Sequence, residues 1–268
     1  MQTLQAAEIL EKKAVGFGNG AIVYVPKRWA GKTVLVAAQE PPQAFEREAL
    51  KILEPFLGSV QGLYLFGSRA RGEARADSDA DFLVLTDKPF NPGKHAGFEF
   101  LVLSPAQIEQ EMAGARGVFL RQALDEAKPG LNARLLEELR RAAGTPDYHA
   151  LLDDTLAAFK QVKELLDADR RRGVKEVRGG ACVYSLVLRA KALYAARCQL
   201  RKKSFTLQGL RQDLYGQGLA RETVERLLEA HRAERDERRG KPSIRLVELN
   251  ALFEAVKAAF LETEAMLG

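Results

Sequence analysis

The stretch from Tyr64 to Leu85 constrains this chain more than any other part of it. An apolar run, Tyr64-Leu65-Phe66, stops at Gly67-Ser68; after ten further residues, Asp79-Ala80-Asp81 leads into a second apolar run, Phe82-Leu83-Val84-Leu85. Two short β-prone runs punctuated by a glycine turn predict strand, turn and strand. Residues i and i+2 of a strand share a face, so Asp79 and Asp81 point together at one spot beside the Gly67-Ser68 turn.

Each residue type at that spot has a chemical use. The Gly67-Ser68 turn leaves backbone N–H groups with no bulky side chain in the way, an arrangement that cradles anions. Ser68 adds a hydroxyl able to bond a phosphate oxygen. Arg69, Arg71 and Arg75 follow, and guanidinium groups pair with phosphates through forked hydrogen bonds. Asp79 and Asp81 offer the hard oxygen ligands that magnesium takes, completed by water and substrate phosphates. Two metals held in this way serve in-line displacement at phosphorus. A third carboxylate comes from the next apolar run, Phe98-Glu99-Phe100-Leu101-Val102-Leu103, where a core strand would make an unpaired Glu99 costly. With that strand antiparallel beside the one bearing the aspartates, Glu99 would reach the same metals or take a proton from an acceptor hydroxyl. A Gly-Ser pair alone is only a turn, and Asp-x-Asp alone is often a solvated strand end. Their combination in strand, turn, helix and strand order points to a nucleotide site.

The spacing of Gly67-Ser68 and Asp79-x-Asp81 resembles the signature of the DNA polymerase beta-like nucleotidyltransferase superfamily. The string GSRARGEARADSDADFLVL is similar to its minimal nucleotidyltransferase branch, over roughly residues 45 to 115. The resemblance implies that the Gly67-Ser68 turn holds the nucleotide phosphates and that Asp79 and Asp81 bind two Mg2+ ions; Arg69 and Arg71, by their place after the turn, are read as nucleotide-binding cations beside it. It implies that Glu99 is the third acid, although the family usually carries aspartate there. The implied activity is magnesium-dependent transfer of a nucleoside monophosphate, AMP from ATP in the leading case, to a hydroxyl on a protein, an RNA or a small molecule. A non-catalytic, nucleotide-holding regulatory module of antitoxin-like kind is the alternative, and an aminoglycoside-type enzyme is a further one.

At 268 residues the chain has room for two domains, and 46% hydrophobic with 29% charged residues describes a globular protein rather than a disordered one. No apolar run approaches the ~20 residues that span a bilayer, and the N-terminal MQTLQAAEILEKK is too charged for a signal peptide, so no membrane partner and a cytoplasmic location are expected. The net charge of +5 suits an anionic partner such as a nucleotide or RNA. Cys182 and Cys198 fall in one predicted helix about 24 Å apart, too far to bridge, and read as apolar filler. His95, His149 and His231 form no metal-ligand cluster in sequence.

The expected fold class is α/β (α+β), in three units: a small N-terminal β unit over 1–40, a mixed-sheet nucleotidyltransferase domain over 41–144 and a C-terminal helical bundle over 145–268. In the first, Ala21–Val25 and Thr33–Ala37 are β-prone runs, and GNGAIVYVPKRWAGKTVLV resembles archaeal AbrB-like swapped hairpins. The second opens with a helix over Ala44–Leu57, then strands over 62–66, 80–85 and 97–103, and helix from Ser104-Pro105 to 143 interrupted near Lys128-Pro129-Gly130, with helices on one side of the sheet. Further helices are predicted over 147–170, 179–202, 206–215, 220–234 and 244–267. This order resembles fusions with HEPN-type bundles, which implies a possible homodimer, and also aminoglycoside nucleotidyltransferases. Active HEPN ribonucleases carry arginine before histidine, whereas His231 here precedes Arg232 and Arg235, which argues against ribonuclease activity.

Overall fold

The computed structural model describes residues 14–32, 44–178, 180–236 and 241–268, together with Leu10, Lys12 and Val34. Near the N-terminus, β1 (Val15–Phe17) and β2 (Gly20–Ile22) form an antiparallel hairpin turned at Gly18, whose φ of 57° suits glycine. The expected strand over Ala21–Val25 therefore begins a residue early and ends at Ile22, and a 3₁₀ turn, Lys27–Trp29, follows. The run Thr33–Ala37 lies outside the described residues except for Val34.

Helix α1 (Ala44–Ile52) ends earlier than the sequence predicts. Pro55 lacks the N–H that a longer helix needs, and Glu54–Phe56 closes as a 3₁₀ turn. There follow β3 (Val60–Phe66), the single turn α2 (Gly67–Ala70), β4 (Ala80–Thr86) and β5 (Phe98–Leu103). The stretch expected as interrupted helix resolves into α3 (Pro105–Met112), α4 (Gly117–Glu126), β6 (Lys128–Leu131) and α5 (Ala133–Ala142). Ser104 and Gln107 close a capping box on α3, as the Ser-Pro start implies. The Lys128-Pro129-Gly130 break is an outer strand, a position that tolerates proline.

The sheet has the order β5-β4-β3-β6, with β3 antiparallel to both β4 and β6. β5 runs parallel to β4, not antiparallel. The segment from Asp87 to Gly97 returns the chain to the end of the sheet where β4 began, so β5 starts beside the start of β4. Helices cover both faces rather than one. Leu63, Leu65, Phe82 and Val84 pack with Ala49 and Leu53 from the α1 region, while Tyr64, Leu83 and Leu85 pack with Ile108, Leu120, Leu124 and Leu136 from α3, α4 and α5. β3 and β4 are thus buried on both sides, which explains their unbroken apolar sequences.

The C-terminal half comprises α6 (Tyr148–Arg171), β7 (Glu176–Arg178), α7 (Ala181–Leu200), α8 (Leu207–Gly216), α9 (Arg221–Arg235), β8 (Ser243–Arg245) and α10 (Leu246–Ala265). The five helices agree with prediction to within a few residues; the short antiparallel pair β7 and β8 was not anticipated. Helix α7 is apolar on nearly every side and forms the bundle axis, with Leu186, Ala190 and Leu193 buried against α6, α9 and α10. Both cysteines lie on it as free thiols.

Helix α4 joins the two halves. Its Val118 belongs to the bundle core, and the Gln199 amide donates to the Val118 carbonyl at 2.8 Å. The bend between α3 and α4 depends on Gly117, where an added Cβ would lie 2.6 Å from the Met112 carbonyl oxygen and 2.9 Å from its Cα. Backbone cannot yield as a side chain does, so Gly117→Ala is expected to lower stability by about 2 kcal/mol, read by urea denaturation. An unchanged midpoint would refute the tight approach.

Candidate active site

Three elements converge at one end of the sheet. β3 finishes at Phe66, and Gly67 turns the chain at once into α2 with φ 74°. Its backbone lies against Asp81, so that an added Cβ would stand 2.1 Å from Asp81 Oδ2. Only glycine meets both conditions, a left-handed φ and no side chain. Asp81 is the register partner of Phe66 on β3 and of Glu99 on β5. Asp79 lies two residues earlier, just before β4 begins, and lines the same cleft as Asp81. The Asp81 face of β4 also bears Leu83 and Leu85, which pack on the α4 side.

Like charges crowd here. Asp81 is pushed up to about 7, chiefly by burial and then by Glu99, with Asp79 adding to the effect while Arg235 and Arg71 oppose it. Glu99 itself is exposed, because β5 is an outer strand and not the core strand its sequence suggests. No burial cost therefore attaches to it. Parallel register brings it beside Asp81, where an antiparallel neighbour had been expected.

The arginines divide by role. Arg69 Nε donates to the carbonyls of Ser78 at 3.1 Å and Asp79 at 3.2 Å, its Nη2 donates to Ser78 as well, and the guanidinium lies 4.0 Å over the Phe45 ring. Arg69 thus fastens the loop before β4 to the turn. Arg71 donates from Nε to Glu73 at 2.7 Å and from Nη1 to both Glu126 oxygens at 2.8 and 2.7 Å. Arg75 Nη1 lies 3.9 Å from Glu229.

A cleft of about 270 Å³ opens at this point, lined by Gly67, Ser68, Asp79 and Asp81 on the sheet side and by Lys191, His231 and Arg235 on the bundle side. Glu99 is not among its described lining residues. Arg235 Nη2 lies 4.0 Å from Asp79 Oδ2. Burial and then Lys191 pull His231 down to about 3, so its ring is neutral and stacks on Tyr184 at 4.9 Å. The Lys191 ammonium can then donate to His231 Nδ1 at 3.3 Å, which leaves the ring proton on Nε2. Nε2 is buried with no hydrogen-bond partner among the described residues. Lys191 is lowered to about 8, first by burial and then by Arg235, Arg232 and Arg71. The motif gave no sign of these bundle residues; the one available hint was a lysine inside the otherwise apolar run Ala190 to Ala196. A second cavity of about 830 Å³ adjoins the cleft across Arg71, Gln122 and Phe205.

Residues 46–129 match a family model described as a nucleotidyltransferase domain, and the span contains Gly67, Ser68, Asp79, Asp81 and Glu99. No curated protein matches the chain. Among solved structures, the chain is similar to the spectinomycin adenyltransferase AAD(9) from Enterococcus faecialis with ATP and spectinomycin, at 16% identity over 80% of this chain and 97% of that one, TM-score 0.43. It is also similar to a nucleotidyltransferase-like protein from Exiguobacterium sibiricum, at 11% identity over 83% of this chain and 77% of that one, TM-score 0.30. Among the described residues no helix is long and apolar enough to cross a membrane.

The crowding at Asp81 has a measurable consequence. A carboxyl with a raised folded-state value binds its proton more tightly folded than unfolded, so its contribution to stability is lost as pH rises from the usual carboxylate range through about 7. Asp81→Asn is expected to raise the thermal midpoint at pH 8 and leave it nearly unchanged at pH 4, in metal-free buffer. Equal midpoint shifts at the two pH values would contradict the raised Asp81 value that burial and its acidic neighbours produce.

Proposed function

We propose that the chain transfers a nucleoside monophosphate, AMP from ATP in the leading case, to a hydroxyl acceptor with release of pyrophosphate. The reading rests on one observation: the Gly67 turn backs directly onto Asp81, with Asp79 lining the same cleft, within the span that matches the nucleotidyltransferase family. In this scheme the Gly67-Ser68 turn receives phosphate oxygens through its amides and the Ser68 hydroxyl. Asp79 and Asp81 hold magnesium, which when bound neutralises phosphate charge and favours in-line displacement. The donor set fits that ion. Magnesium binds through one or two carboxylates completed by water and phosphate oxygens, the ligands that Asp79, Asp81 and a bound nucleotide would offer.

Glu99 takes the proton of the acceptor hydroxyl as its oxygen bonds to the α-phosphorus and the bond to pyrophosphate breaks, a role its exposure beside Asp81 supports. Lys191 and Arg235 face the triphosphate from the bundle, and the neutral His231 ring accepts from the Lys191 ammonium behind it. The bundle thus acts as the substrate-facing wall. A small-molecule acceptor is favoured by the adjoining cavity, whose volume of about 830 Å³ lies within the range of small-ligand pockets.

The test incubates the protein with α-labelled ATP, magnesium and panels of small-molecule, RNA and protein acceptors. Label transfer is expected from the native chain, with loss of transfer in an Asp79→Ala, Asp81→Ala variant. Glu99→Gln is expected to slow transfer by about 100-fold while nucleotide binding persists. Transfer that survives the double substitution would reject the assignment, and nucleotide binding without transfer to any acceptor would favour a non-catalytic module.

A further inference from the structure

The amide of the Gly67 turn already has an anionic partner from the chain itself. Gly67 N donates to Glu126 Oε1 at 2.7 Å, and the Arg71 Nη1 donates to both oxygens of the same carboxylate. Gln122 Nε2 adds a donor to Oε2 at 3.3 Å. The pair is largely shielded, with side chains 16% exposed for Arg71 and 12% for Glu126. A backbone amide and a guanidinium acting together on two coplanar, negatively charged oxygens are the groups that grip the edge of a phosphate.

Glu126 is also placed to leave. It is the last residue of α4, and together with Arg71 it lines the cavity of about 830 Å³ next to the cleft, so its carboxylate borders open space into which it can move. The other edge of Arg71 is fixed independently. Nε donates to Glu73 Oε2, and Glu73 Oε1 accepts from the Leu207 amide at 2.9 Å, where α8 begins. Arg71 therefore keeps its position when Glu126 departs, tied through Glu73 to the bundle.

We propose that Glu126 is a built-in phosphate surrogate, which competes with the nucleotide's phosphates for the Gly67 amide and Arg71 and so sets nucleotide affinity. This rests on the nucleotide-binding role of the cleft. Seating a phosphate at the turn requires the Glu126 carboxylate to swing toward the larger cavity, and the cost of that displacement weakens binding. A purely structural Glu126 has the opposite signature, because removing it would loosen Arg71 and the turn.

Calorimetric titration of the full chain with MgATP, and separately with magnesium tripolyphosphate, distinguishes the two. Glu126→Gln keeps an oxygen able to accept from Gly67 but removes the negative charge that faces Arg71, and it is expected to tighten both ligands by about tenfold, the scale of one charged hydrogen bond. Glu126→Asp retains the charge, and with it the conditions for folding, yet is one methylene too short to reach Gly67. It is expected to tighten binding severalfold and serves if the glutamine variant fails to fold. Binding unchanged or weaker in a folded variant, with the native chain still binding MgATP, overturns the surrogate and leaves the site assignment standing. Absence of binding in the native chain and both variants overturns both.

Discussion

The negative charge at Asp81 sits between two others, and the local architecture is an answer to that crowding. Parallel pairing of β4 with β5 sets Glu99 beside it, Asp79 lines the same cleft, and the missing side chain of Gly67 allows the turn to close against its carboxylate. Burial of Asp81 and the carboxylates beside it both raise its affinity for a proton or a cation. Arg235 and Arg71 supply part of the compensation, but Asp81 remains raised to about 7, chiefly because it is buried and then because Glu99 stands beside it.

Compensation comes from a distant part of the chain. The sheet supplies the acids and the anion-receiving turn; the bundle supplies the cations Lys191 and Arg235, with the neutral His231 ring against Lys191. Neither half forms the cleft alone. Helix α4 holds them in register, since Val118 packs into the bundle core while Glu126, two turns further on, reaches the Gly67 turn. A shift of the bundle therefore changes the charge balance around Asp81, and the packing of an apolar helix becomes a determinant of the electrostatics of the site.

Much of the fold was legible because its signals are local. The Ser104-Pro105 start, the five long C-terminal helices and the strands around Gly67 each follow from periodicity and punctuation within a short window. The departures have physical causes. Pro55 cut α1 short, and Lys128–Leu131 became an outer strand because β3 offered a free edge, which no local pattern records. Glu99 looked buried because its neighbours are apolar; β5 is an outer strand, so the glutamate meets solvent. Arg69 was grouped with Arg71 as a phosphate partner, yet its guanidinium is directed to the Ser78 and Asp79 carbonyls.

The bond between neighbours in sequence is enough to bring Gly67 to Ser68 and Asp79 to Asp81. Charge acts through space, not along the chain. Which cations face those acids, that Glu99 pairs with Asp81 in parallel register, and that Glu126 occupies the amide of the turn were decided only when the sheet, α4 and the bundle packed together. Burial and Coulomb interaction depend on distances that tertiary packing alone creates.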